Sequence, residues 1–163
     1  MATQNGYAVK FNEQDVRPMG RPASGVKAIN LKDDDRAVCM DIAVDGEEFL
    51  VVSENGYGKR TPISEYKVQN RGGIGLITYK ISEKTGKVIG ATMCTEDNEL
   101  MLINSSGVAI RINVSDISVT SRSTMGVRLM RTTDEEKVVA ITKISATDDE
   151  TEISENENTE QDN

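Results

Sequence analysis

The chain has 163 residues, enough for one ordinary domain, with 37% apolar residues, 4% aromatics and no Trp, a modest core suited to stacked small modules. It contains no His, which removes the commonest general base and the commonest zinc ligand, and Cys39 and Cys94 form no CxxC pair. The net charge of −8 is local: eight of the 27 acids lie in residues 146–163, which hold no Lys or Arg, and the remaining 19 acids balance 19 bases.

The chain opens on a polar stretch, Met1 to Gly6, with no signal-peptide pattern, and no apolar run approaches a membrane span. With two unrelated cysteines this predicts a reducing cytoplasm and no membrane partner. Ala2 to Phe11 reads as a hairpin, midway through a repeat. Arg21-Pro22-Ala23-Ser24-Gly25-Val26 then opens a unit that returns as Arg71-Gly72-Gly73-Ile74-Gly75-Leu76 and as Arg122-Ser123-Thr124-Met125-Gly126-Val127, at spacings of 50 and 51. Gly6, Gly56 and Gly107 keep the same register, as do Lys10, Arg60 and Arg111. Val38, Val88 and Val138 recur at 50, followed by Val44, Cys94 and Ile144. A fixed period in this range marks a repeat architecture.

The middle repeat is the most legible. Gly75 to Ile81, Lys87 to Met93, Glu99 to Ile103 and Val108 to Ile112 read as strands, separated by the turns Glu83-Lys84-Thr85-Gly86, Thr95-Glu96-Asp97-Asn98 and Asn104-Ser105-Ser106-Gly107. Ile63-Ser64-Glu65-Tyr66 and Val114-Ser115-Asp116-Ile117 have room for a single helical turn and lead the chain to the next repeat. Four short strands per repeat predict an all-β, propeller-like fold. The units fall near 21–70, 71–121 and 122–145, with a tail at 146–163 whose composition predicts disorder. The tail reads as a solubilising terminus, or as a polyanion that competes for basic sites on the body. Fewer than three blades leave bare edges, so the chain reads as part of a longer protein that is marginally stable or self-associating on its own.

No nucleotide cradle or metal site emerges. Gly72-Gly73-Ile74-Gly75 lacks the Lys-Ser/Thr of a Walker loop, and Asp33-Asp34-Asp35 reads as a solvated turn. What recurs is cationic. Lys10, Lys59, Arg60 and Arg111 follow hairpin turns; Arg21, Arg71 and Arg122 open repeats; Arg17, Lys27, Arg128 and Arg131 lie close to those openings. Radially stacked repeats would set such groups along one arc, where each neutralised phosphate of a duplex releases counterions. The competing reading has the same residues tying blade to blade through carbonyls and carboxylates.

Arg17-Pro18-Met19-Gly20-Arg21, Gly56-Tyr57-Gly58-Lys59-Arg60-Thr61-Pro62 and Arg122-Ser123-Thr124-Met125-Gly126-Val127 together resemble the C-terminal domain of bacterial DNA gyrase A, across residues 1–145. The resemblance implies a partial β-pinwheel of about 2.5 four-stranded blades, cut from a six-bladed ring whose blades share strands. It implies a basic rim that wraps double-stranded DNA, with Lys10, Arg17, Arg21, Lys27, Lys59, Arg60, Arg71, Arg111, Arg122 and Arg128 as candidate contacts. The implied partners are the rest of gyrase A and gyrase B, in an A2B2 type II topoisomerase that supercoils nucleoid DNA negatively. ATP and Mg²⁺ would act elsewhere in that assembly, so no cofactor, metal or catalytic residue is carried to this chain. Gln69-Asn70-Arg71-Gly72-Gly73-Ile74-Gly75 echoes the family's Gln-Arg-Arg-Gly-Gly-Lys-Gly box with two cations missing, which predicts weaker wrapping. The related topoisomerase IV domain and a propeller-type protein-interaction scaffold are the alternatives. DNA affinity that falls steeply with salt separates wrapping from the scaffold, and removal of 146–163 strengthens binding if the tail competes.

Overall fold

The computed structural model describes residues 1–145. The acidic segment 146–163, expected to be disordered, lies outside the described residues. Eleven short strands alternate with turns: β1 (Ala2–Thr3), β2 (Tyr7–Ala8), β3 (Ala37–Cys39), β4 (Glu48–Ser53), β5 (Tyr57–Pro62), β6 (Leu76–Ile77), β7 (Val88–Cys94), β8 (Glu99–Asn104), β9 (Ala109–Asn113), β10 (Val127–Arg128) and β11 (Val138–Ile144). The two expected helical turns are single 3₁₀ turns at Ile63–Glu65 and Val114–Asp116, and a third at Glu13–Asp15 occupies the same place in the first repeat.

The strands form three antiparallel sheets, ordered β3-β1-β2-β6, β10-β5-β4-β7 and β11-β8-β9. Two sheets are complete four-stranded blades and the third has three strands, which is the all-β, propeller-like, unclosed architecture the spacing predicts. Blade and repeat are out of phase. The strand that follows each repeat-opening loop crosses to the preceding blade: β6 pairs with β2 and β10 pairs with β5. The segment Gly75 to Ile81, expected as one strand, is therefore ladder only at Leu76–Ile77. Beyond it the amides of Thr78 and Tyr79 both donate to the Gly6 carbonyl, which ends the pairing.

Gly126 shows why these loops need glycine. Its φ is +75°, and a Cβ there would sit 2.2 Å from the Gly58 carbonyl oxygen. Only a residue without a side chain lets the crossing strand lie against β5.

Two apolar cores separate the three sheets. Phe49 and Val51 of β4 face one, with Tyr66, Tyr79 and Val88; Leu50 and Val52 face the other, with Leu100, Leu102, Ile117 and Val138. β4 is thus buried on both faces, which explains its unbroken Phe49-Leu50-Val51-Val52 run. The recurring valines close the blades onto each other. The Val88 amide donates to the Gln4 carbonyl at 2.9 Å and the Val138 amide to the Glu54 carbonyl at 2.7 Å. Val44 does not follow its register mates Cys94 and Ile144 into a strand: β3 ends at Cys39, because β1 offers it only Ala2 and Thr3 as partners.

Candidate nucleic-acid interface

The cations that follow the hairpin turns are pulled inward or paired. Lys59 and Arg60 lie on β5, which is covered on both sides, and their exposures are 0% and 3%. The Lys59 ammonium donates to the carbonyls of Ser121 (2.6 Å) and Arg122 and lies 6.0 Å from the Tyr79 ring centre. Burial pushes this ammonium down to about 8, with Glu65 opposing the shift and Arg122 adding to it. Arg60 donates from Nη1 to Glu48 at 2.6 Å and from Nε to the Ile117 carbonyl at 2.7 Å. At the matching positions Lys10 lies 3.8 Å from Asp45 and Arg111 is ion-paired with Glu99. The structure therefore corrects the expectation of a rim position for Lys59 and Arg60. A charged side chain in a covered strand is held by carbonyls and carboxylates, which is the blade-to-blade role of the competing reading. Lys10 and Arg111 keep some exposure but share their charge with a carboxylate.

Two of the three repeat-opening arginines, Arg71 and Arg122, are half-buried braces. Arg71 donates to the Lys27 carbonyl at 2.6 Å and the Asp15 carbonyl at 3.3 Å. Arg122 donates to the Ile77 carbonyl at 3.4 Å, one repeat later, and sits 5.9 Å from the Tyr66 ring centre. Arg122 thus clamps its loop onto the crossing strand β6, and Arg71 clamps its loop onto the matching segment of the first repeat, which is not a strand. These bonds gather the exposed cations around two equivalent loops. Lys27 stands beside Arg71, its ammonium 3.3 Å from Asn30 Oδ1. Near Arg122, the exposed Lys80 is tied by its amide to the Thr124 carbonyl at 3.1 Å.

Arg128, on the crossing strand β10, donates to the Tyr57 hydroxyl at 2.7 Å from Nη2 and lies 5.3 Å from that ring centre. Lys84 lies 5.2 Å from the same ring centre. Arg17 and Arg21 are exposed on the first loop. Of the ten expected contacts, then, Arg17, Arg21, Lys27 and Arg128 are exposed, Arg71 and Arg122 are anchored in the loops, and the other four are buried or paired.

Lys80 and Lys84 were not singled out from sequence. Lys80 has a register mate in Arg131, at a spacing of 51, so the repeat carried a signal for it; Lys84 replaces acids, Asp34 and Glu135, and carried none. The Asp33-Asp34-Asp35 run does more than solvate a turn. Asp35 is buried and accepts from the amides of Asn5 (2.9 Å) and Arg36 (2.8 Å), while Asp34 pairs with Lys87 at 3.2 Å. Among the described residues no group of His, Cys, Asp or Glu is arranged to hold a metal, and no helix is long and apolar enough to cross a membrane.

Residues 1–38, 47–95 and 98–145 match the family described as DNA gyrase C-terminal domain, beta-propeller. The chain is 55% identical over 150 residues to DNA gyrase A of Clostridium acetobutylicum, covering 92% of this chain and 18% of that protein. It is 44% identical over 152 residues to DNA gyrase A of Staphylococcus epidermidis, with 91% and 17% coverage. The chain thus spans under a fifth of the length of these relatives. A solved structure of a DNA gyrase A C-terminal domain superposes with a TM-score of 0.80 at 32% identity, over 88% of this chain and 49% of that one. The C-terminal domain of a DNA topoisomerase IV superposes with a TM-score of 0.87 at 23% identity, over 98% and 50%.

Proposed function

The chain belongs to the DNA gyrase C-terminal domain family, and from that premise we propose that it binds and bends double-stranded DNA across its repeat-opening loops, as a non-catalytic part of a gyrase A protein. The observation that carries the reading is the grouping of Lys27 with Arg71, and of Lys80 with Arg122, on loops one period apart. Phosphates spaced along a curved duplex meet such groups in turn, and the energy of bending is offset by the added contacts. The body carries no excess charge, so affinity comes from this local concentration of cations rather than from a general field. Gyrase B, the rest of gyrase A, ATP and Mg²⁺ would supply strand passage and supercoiling, in the cytoplasm. The 55% identity to a gyrase A protein favours gyrase over topoisomerase IV, whose domain is matched in fold alone.

Duplex affinity measured against salt tests this. The logarithm of the binding constant falls linearly with the logarithm of salt concentration. Each phosphate interaction removed, as in R128A or K80A, lowers the slope by about 0.9. Slopes that stay the same in both variants, or affinity indifferent to salt, would leave the protein-interaction scaffold as the better reading.

A further inference from the structure

The loops opened by Arg71 and Arg122 share their outer ties and differ in one peptide. The Asn30 amide donates to the Gly73 carbonyl at 2.8 Å, and one repeat later the Lys80 amide donates to the Thr124 carbonyl at 3.1 Å. Arg71 reaches the Lys27 carbonyl as Arg122 reaches that of Ile77. Between these ties the loops part. The Gly72 amide turns inward and donates to the Ala28 carbonyl at 2.8 Å, with Gly72 at φ +84°. Its register mate Ser123 does not take positive φ. Among the described residues the Ser123 amide donates to no carbonyl or side chain.

The cause lies beneath the loop. Where the first blade has Val9, β5 has Lys59. A valine offers no donor, so a carbonyl of the first loop gains nothing by turning toward it. Lys59 sends its ammonium to the carbonyls of Ser121, at 2.6 Å, and Arg122. Burial pushes this group down only to about 8, so it remains an ammonium at neutral pH. The chain has no cis peptide, and a trans peptide sets its C=O and N–H on opposite sides. With the Arg122 carbonyl drawn in to the buried ammonium, the Ser123 N–H points the other way, from an exposed residue. The preceding amide, that of Arg122, is already taken by Glu65 Oε2 at 3.2 Å.

We propose that the Ser123 amide donates to a phosphate of the bound duplex, and that Lys59 is the positioning residue that turns it outward. The proposal rests on the reading of the repeat-opening loops as the duplex-binding surface. Backbone N–H groups are regular donors to duplex phosphates. Here the amide stands next to Arg122 and on the loop that Lys80 is tied to, and the charge of these cations draws the phosphate in. The Arg71 loop, its amide spent on Ala28, lacks this contact. The two loops therefore hold phosphate unequally. Lys59, expected on the rim, acts on the duplex through the backbone without touching it.

Amide NMR of the full chain, with and without a random-sequence duplex, tests this with no substitution. On addition of DNA the Ser123 amide proton moves downfield and exchanges more slowly, and the Gly72 amide, already bonded, shifts far less. Two variants divide the proposal into its parts. S123P removes the donor at a position where the first repeat carries Pro22. A neutral donor displaces no counterion of its own, so S123P weakens binding about tenfold while the salt slope stays that of the parent. K59M frees the Arg122 carbonyl, and the response of Ser123 to DNA is lost while that of Gly72 is unchanged. A Ser123 amide that ignores the duplex, or unchanged affinity in S123P, would overturn the proposal, even where K80A lowers the salt slope and so upholds the loops as the DNA surface. A Ser123 response that survives in K59M would remove the role of Lys59. Affinity indifferent to salt would overturn the loop reading itself, and this proposal with it.

Discussion

Lys59 donates to the Ser121 and Arg122 carbonyls from a side chain with no exposure, and burial pushes its ammonium down to about 8. An unfolded lysine titrates at about 10.4. From about pH 8 upward the unfolded chain therefore holds more protons at this site than the folded one, and stability rises with pH. Burial also pushes the Cys94 thiol up to about 12, and above about pH 9, where an unfolded thiol ionises, that works in the opposite direction. The melting temperature should rise from pH 8 to pH 9. In K59M, which leaves two carbonyls without their donor at a cost of about 1–3 kcal/mol, that rise should vanish. Equal pH profiles for the two proteins would show that Lys59 is not the group responsible. R60A, which strands Glu48, should cost about 3–5 kcal/mol by denaturant titration. The period placed Arg60 at a position matched by Lys10 and Arg111 but was silent on the direction it faces, while the register mates of Lys59 are the apolar Val9 and Ile110. A second signal was present: Glu48 and Glu99 each precede their arginine by 12 residues, a pairing that repeats with the fold.

Among the elements, the crossing strand was the least legible. Its residues were read as part of their own repeat, because sequence order says nothing about which blade a strand joins. The glycines that open it were legible as a repeat, and the reason is now visible: the loop turns in left-handed conformation with no room for a side chain. G126A should destabilise by about 2–5 kcal/mol, combining backbone strain with a clash against the Gly58 carbonyl. G25A has the same φ, and a Cβ there would meet nothing within 4 Å, so it should cost only the strain, about 1–2 kcal/mol. Thermal or denaturant melts of the two variants at low concentration measure the difference, and equal losses would mean that the close approach is unimportant. The hairpins, by contrast, were readable to within a residue or so, since β7, β8 and β9 carry β-branched and apolar runs between Gly-bearing turns.

For the whole molecule, the repeat turns three sheets into a stack and carries its loops along at one period, so that Arg71 and Arg122 make the same clamp one blade apart. The clamps fix the backbone beside Lys27 and Lys80, and Tyr57 holds Arg128 on the crossing strand β10. The most direct measurement is the protection of lysines from acylation by a bound duplex, read residue by residue in mass spectrometry. Lys27, Lys80 and Lys84 should be shielded by DNA, while Lys143 on β11 and Lys87 beside Asp34 keep their reactivity. Shielding spread evenly over all exposed lysines, or confined to Lys87 and Lys143, would contradict a duplex lying across the repeat-opening loops.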